Sequence, residues 1–157
     1  PASKQPTIQE ELGVKLMTAK HPVIKKLKKE HPTSIHGDKF WSSSYLLMDY
    51  LNDNPPKKNT NILEIGCGWG LTAIYCSKRF ECDVTGVDAD PDVFPYLQAH
   101  AGLNEVYIKP LVKTFDQLDV ETLSEYLRNR LIIISSILKE WMWDIVQNIY
   151  EMRKKEF

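Results

Sequence analysis

With 157 residues, 43% of them hydrophobic and 26% charged, and a formal net charge of −1, the chain has the size and composition of one globular domain, and its bulk charge does not mark a nucleic-acid binder. Its cysteines, Cys67, Cys76 and Cys82, are odd in number and form no CxxC pair, which argues against a disulfide framework or a zinc site and for a reducing compartment. No apolar run approaches the roughly 20 residues that cross a bilayer, and no apolar leader block is visible, so the expectation is a cytoplasmic protein with no membrane partner and no metal.

Residues 1–11 are polar and weakly patterned and read as a loosely docked end. Residues 12–30 are helix-compatible but interrupted by Pro22, which predicts one helix ending near Lys20 and a second beginning at His21 and Pro22. In the second, Lys25, Lys26, Lys28 and Lys29 surround Val23, Ile24 and Leu27, so a narrow apolar stripe faces the body and the lysines face water. Such a face is ordinarily just solvated; the alternative is a patch for an acidic partner or nucleic acid. Residues 40–51 carry Phe40, Trp41, Tyr45, Leu46, Leu47, Tyr50 and Leu51 at helical spacing, with Ser42, Ser43 or Ser44 as the cap. Trp41 is either a core aromatic or a residue lining the mouth of the site described next.

Alternating units follow. Residues 61–65 read as a strand, 71–80 as a helix, 83–87 as a strand, 91–101 as a helix and 106–108 as a third strand, an order that calls for a parallel sheet. Asp119 caps a helix running to about residue 129, residues 131–134 form a buried fourth strand, and 138–152 a last helix with Trp141, Ile145 and Ile149 on one face. The fold class is therefore α/β, a Rossmann-like doubly wound sheet, mainly parallel, with N-terminal helices. Residues 1–60 are a helical extension and 61–157 the core.

The first strand runs directly into the glycine-rich turn Gly66-Cys67-Gly68-Trp69-Gly70. A turn of this kind aims backbone N–H groups at a ligand, and the missing Cβ atoms permit close approach to the main chain. Asp88 ends the second strand about 20 residues later, where a carboxylate accepts hydrogen bonds from ribose hydroxyls. Strand, turn, helix and acid together indicate a cofactor containing adenosine. A dinucleotide fingerprint places its third glycine three positions after the second, whereas the spacing here is GxGxG. Glu64 also sets a carboxylate beside the turn, where it repels a pyrophosphate but suits an ammonium and a sulfonium. These features favour S-adenosylmethionine over NAD.

The pattern ExGCGxG, with an aspartate closing the next strand, resembles the class I, seven-stranded S-adenosylmethionine-dependent methyltransferases. The upstream stretch FWSSSYLLMDYL followed by ILEIGCGWG is similar to their protein-lysine methyltransferase group. The resemblance implies that Glu64 and the backbone of Gly66, Cys67 and Gly68 meet the methionine end of the cofactor, and that Gly70 lets the helix start tightly. It also implies that Asp88 binds the ribose, that Ala89 lies near the adenine, and that Asp116 contacts the adenine amine. The acceptor it implies is a protein side chain such as lysine, and nucleic acid stays open through the lysines at 25–29. In the resembling enzymes an acid and an aromatic follow the fourth strand; here Ser135 and Ser136 occupy that place and Trp141 comes later, so no catalytic residue is named. Three further strands are also expected after the fourth, so the second half of the sheet is missing or truncated. That shortfall keeps a non-catalytic binding module as the alternative reading, with a nicotinamide-dependent oxidoreductase as a minor one.

Overall fold

The computed structural model describes residues 7–33, 42–119, 123–124 and 130–134. The N-terminal segment corrects the first expectation: in place of a helix before Lys20 it forms a hairpin of β1 (Ile8–Glu11) and β2 (Val14–Met17). The two residues between them, Leu12 and Gly13, both have positive φ, the geometry that lets a two-residue turn match the right-handed twist of its strands. Val14, Leu16 and Met17 are buried while all of β1 is exposed, so only one strand contributes to the core. The helical spacing of this apolar set was misleading because Leu16 and Met17 are both buried, which hides the strand alternation.

Helix α1 (Pro22–Glu30) starts where Pro22 places it, with His21 as its cap: His21 Nδ1 accepts from the Val23 N–H at 3.2 Å. Ile24 is fully buried, Leu27 is half-buried and Lys25, Lys26, Lys28 and Lys29 are exposed. Val23 is exposed as well, so the apolar stripe is narrower than the sequence predicts, because Val23, in the first turn, lies off the buried face. Helix α2 (Ser42–Asp53) buries Met48 and Leu51 and leaves Leu46 and Tyr50 exposed, so its inner face is narrower than the aromatic spacing suggests. Ser43 and Ser44 lie within this helix.

The main sheet is built from β3 (Asn61–Ile65), β4 (Asp83–Asp88), β5 (Lys109–Val112) and β6 (Arg130–Ile134), in the order β5-β4-β3-β6, with every pairing parallel. Helix α3 (Leu71–Phe80) joins β3 to β4, and α4 (Phe94–Leu103), entered through a short 3-10 turn at Pro91–Val93, joins β4 to β5. The third parallel strand thus lies a few residues beyond the predicted 106–108. Val106 and Ile108 are apolar because they pack against the core on the approach to the strand, not as part of it. The alternation of β3 divides the core: Ile62 packs with α2 and α3, whereas Leu63 and Ile65 pack on the opposite face with Val87, Leu118 and Leu123. By the same alternation Glu64 shares the face of Ile62. The calls on Phe40, Trp41, Ser135, Ser136 and the helix at 138–152 lie outside the described residues.

Candidate functional site

At the C-terminal end of β3 the chain turns through Gly66 (φ 74°), Gly68 (φ 52°) and Gly70 (φ 78°), all in the left-handed region that glycine enters without strain. The turn is tied to β4. The N–H groups of Gly66 and Cys67 both donate to the carbonyl of Val87, at 2.8 and 3.0 Å, and the Gly70 N–H donates to the Cys67 carbonyl at 2.9 Å. Gly70 then accepts from the Ile74 N–H at 2.8 Å, so the first hydrogen bond of α3 begins on the last glycine. Leu71 through Cys76 are all buried, which seats the N-terminus of this helix, with its partial positive charge, inside the protein.

The glycines are there for different reasons. A Cβ on Gly70 would lie 2.7 Å from Cγ of Leu97 in α4, so this glycine is required by packing as well as by its φ. A Cβ on Gly68 would meet nothing within 4 Å, so at this point the turn presents bare backbone to open space. Opposite, Gly86 of β4 makes room for Cys67, whose Sγ would sit 2.9 Å from an added Cβ. Burial, reinforced by the charges of Glu64 and Asp88, pushes the Cys67 thiol well up, so it is a packed, un-ionised group.

Asp88 closes the site. Its Oδ2 accepts from the Gly68 N–H at 2.9 Å and its Oδ1 from the Asp90 N–H at 3.0 Å. The Ala89 N–H is a third backbone donor to this carboxylate, so of its roughly four acceptor positions about one stays open. Burial outweighs these backbone hydrogen bonds and raises the carboxyl above its ordinary range. Asp90 in turn accepts from the Asp92 N–H at 3.0 Å and caps the turn that leads into α4. Ala89 is exposed beside Asp88.

Glu64 is only 1% exposed, on the α3 face of β3 and two residues before the turn. It is close enough to Cys67 and Cys76 to raise both thiols. Asp116 follows β5 in a 3-10 turn (Phe115–Gln117) closed by reciprocal hydrogen bonds between Thr114 and Gln117, and it is exposed. The structure therefore gathers Gly66, Cys67, Gly68, Gly70 and Asp88 into one hydrogen-bonded unit. Glu64 lies beneath that unit and Asp116 on a separate loop.

Sequence reasoning missed Trp69. This side chain, between the last two glycines, is 5% exposed and stacks on Tyr96 (centroids 4.8 Å apart, planes at 8°) and on His100 (5.5 Å, 21°). Met17 and Ile24 complete the cluster, so β2 and α1 pack directly behind the turn. The only available hint was a tryptophan inside a glycine-rich turn that otherwise needs small residues.

Among the described residues no group of His, Cys, Asp and Glu could hold a metal ion, and no helix is long and apolar enough to cross a membrane. A family profile described as a methyltransferase domain matches residues 62–155. The chain is 40% identical over 65 residues to a protein named as an N5-glutamine methyltransferase of Methanocaldococcus jannaschii, a match covering 41% of this chain and 32% of that protein. It is 28% identical over 130 residues to the ribosomal protein L11 methyltransferase of Hydrogenovibrio crunogenus, covering 71% of this chain and 44% of that one. A third relative, ajmaline N-methyltransferase of Rauvolfia serpentina, is 29% identical over 68 residues, 43% of this chain and 23% of the relative. The chain thus spans less than half the length of these curated relatives. Among solved structures, the tRNA (uracil-54, C5)-methyltransferase of Pyrococcus abyssi matches with a TM-score of 0.50 at 18% identity, over 74% of this chain and 26% of that one. An RNA methyltransferase structure from Pyrococcus horikoshii matches with a TM-score of 0.53 at 14% identity, over 80% and 62%. These two likenesses show the fold.

Proposed function

The chain belongs to the methyltransferase-domain family, and from that premise we propose that it binds S-adenosylmethionine at the turn 66–70 and serves transfer of the methyl group to a protein side chain. One observation carries the donor half of this reading. Gly68 presents bare backbone at φ 52° with open space in place of a Cβ, and its N–H is held by the carboxylate of Asp88. That juxtaposition is a cradle for a nucleoside, with the remaining acceptor capacity of Asp88 left for a ribose hydroxyl. Glu64, Gly66, Cys67 and Gly68 hold the methionine end, Asp88 the ribose, and Ala89 and Asp116 the adenine.

When bound, S-adenosylmethionine supplies an electrophilic methyl group on a sulfonium. The buried carboxylate of Glu64 provides the negative charge that suits a ligand carrying an ammonium and a sulfonium, which a dinucleotide lacks. Transfer then requires an acceptor held in line with the methyl group and an unprotonated lone pair; for a lysine, a desolvated pocket favours the neutral amine. Two of the relatives above are named for protein substrates, one for glutamine and one for a ribosomal protein, which supports a protein acceptor.

Calorimetry with S-adenosylhomocysteine tests the donor site. The intact chain is expected to bind it, and Asp88→Ala to weaken binding by about ten-fold or more, the usual cost of removing a charged hydrogen-bond acceptor. Absence of heat with the intact chain would sink the donor assignment. Transfer of a labelled methyl group into a cell extract tests the acceptor. The label is expected in material destroyed by protease, whereas label sensitive to nuclease would replace the protein acceptor with RNA.

A further inference from the structure

The hairpin docks on α4 through its backbone. Asn104 uses its amide as a strand would: Oδ1 accepts from the Lys15 N–H at 2.8 Å and Nδ2 donates to the Lys15 carbonyl at 2.9 Å. One turn earlier, Nε2 of His100 accepts from the Met17 N–H at 3.1 Å. The other ring nitrogen, Nδ1, donates to the Tyr96 carbonyl at 2.8 Å, which fixes the tautomer and the ring plane. His100 of α4 and Asn104, the residue that caps this helix, therefore stand in for a third strand on the edge of β2, reading the alternate residues 15 and 17. The same His100 ring stacks on Trp69, and Met17 packs in the same cluster. Trp69 has no slack, because its neighbours Gly68 and Gly70 are pinned by Asp88 and Cys67.

We propose that His100 is a positioning residue for the methyl-donor turn, transmitting the docked state of the N-terminal hairpin through Trp69 to the backbone of Gly68 and Gly70. This rests on the assignment of that turn as the donor site. The chain of contacts is continuous: Lys15 to Asn104, Met17 to His100, His100 to Trp69, and Trp69 to the glycines on either side. Whatever lifts the hairpin loosens the turn, and by reciprocity whatever orders the turn holds the hairpin down. The inference assigns the N-terminal segment a role in tuning donor affinity without touching the donor.

Amide hydrogen exchange on the full chain, read residue by residue, tests this together with S-adenosylhomocysteine titration. In Asn104→Ala, and in the milder Asn104→Ser, the amides of Gly68 and Gly70 are expected to exchange about five-fold faster or more, and the dissociation constant to rise by a similar factor. The surface change Lys109→Ala is expected to leave both unchanged. The proposal is overturned if the Met17 amide loses protection while Gly68 and Gly70 exchange as in the parent chain. If neither Asn104 variant folds, Trp69→Phe tests the coupling from the other end: faster exchange at Met17 supports it and unchanged exchange refutes it. Should the parent chain bind no S-adenosylhomocysteine, the donor assignment fails, and the exchange measurements still decide the coupling.

Discussion

At the scale of single residues, the turn separates two jobs that glycine performs. A Cβ on Gly70 would meet Leu97, whereas one on Gly68 would enter open space, although both glycines have positive φ. Gly70→Ala is therefore expected to destabilise the fold by about 2–4 kcal/mol, from left-handed strain plus the clash with Leu97, measured by urea denaturation. Gly68→Ala carries only the strain, about 1–2 kcal/mol, but fills the cradle, so it is expected to weaken S-adenosylhomocysteine binding more than it weakens folding. Equal loss of stability in the two variants would contradict this division. The motif residues were legible in sequence because they lie within a few positions of one another and their spacing is set by the turn itself. The distinction between Gly68 and Gly70 was not, since it depends on Leu97, a residue of the second crossover helix.

At the scale of elements, β3, α3 and β4 are legible because each is a short local pattern: an apolar run, a helix bounded by glycine and a charged turn, and an aspartate-ended strand. By contrast, β5 (Lys109–Val112) lies beyond the apolar stretch 106–108 that marks its approach. The N-terminal hairpin was misread because its pattern is short and its stability comes from contacts made elsewhere, with Asn104 and His100. That docking has a measurable pH dependence. Burial lowers the pKa of His100 from its ordinary 6.5, with His21 nearby opposing a second positive charge. The neutral ring is the form that accepts from Met17, so the folded state binds this proton less readily than the unfolded chain. The contribution of His100 is thus fully present above about pH 6.5 and is lost as pH falls toward the lowered folded value. Stability curves from pH 8 to 5 are expected to decline more steeply in the parent chain than in His100→Gln, and parallel curves would exclude this source.

At the scale of the whole molecule, all the cysteines are buried and unpaired, and desolvation raises each thiol. Native protein at pH 8 is expected to react slowly with a disulfide reagent and to release its full thiol count only on unfolding in urea; rapid labelling of the native chain would contradict the packing of Cys67 under the turn. The sheet presents β5 and β6 at its two described edges, with the glycine turn and Asp88 at the strand ends between them. The sequence by itself determined the order of the parallel strands and the two crossover helices from β3 to β5, the position of the turn and the acid that faces it, because those depend on chain neighbours and on the periods of strand and helix. Only the tertiary structure decided that Trp69 anchors the turn, that a hairpin replaces the first helix, and that Asn104 and His100 fasten it. The partners in these contacts stand 83 and 89 positions apart, and no local pattern carries information over that distance.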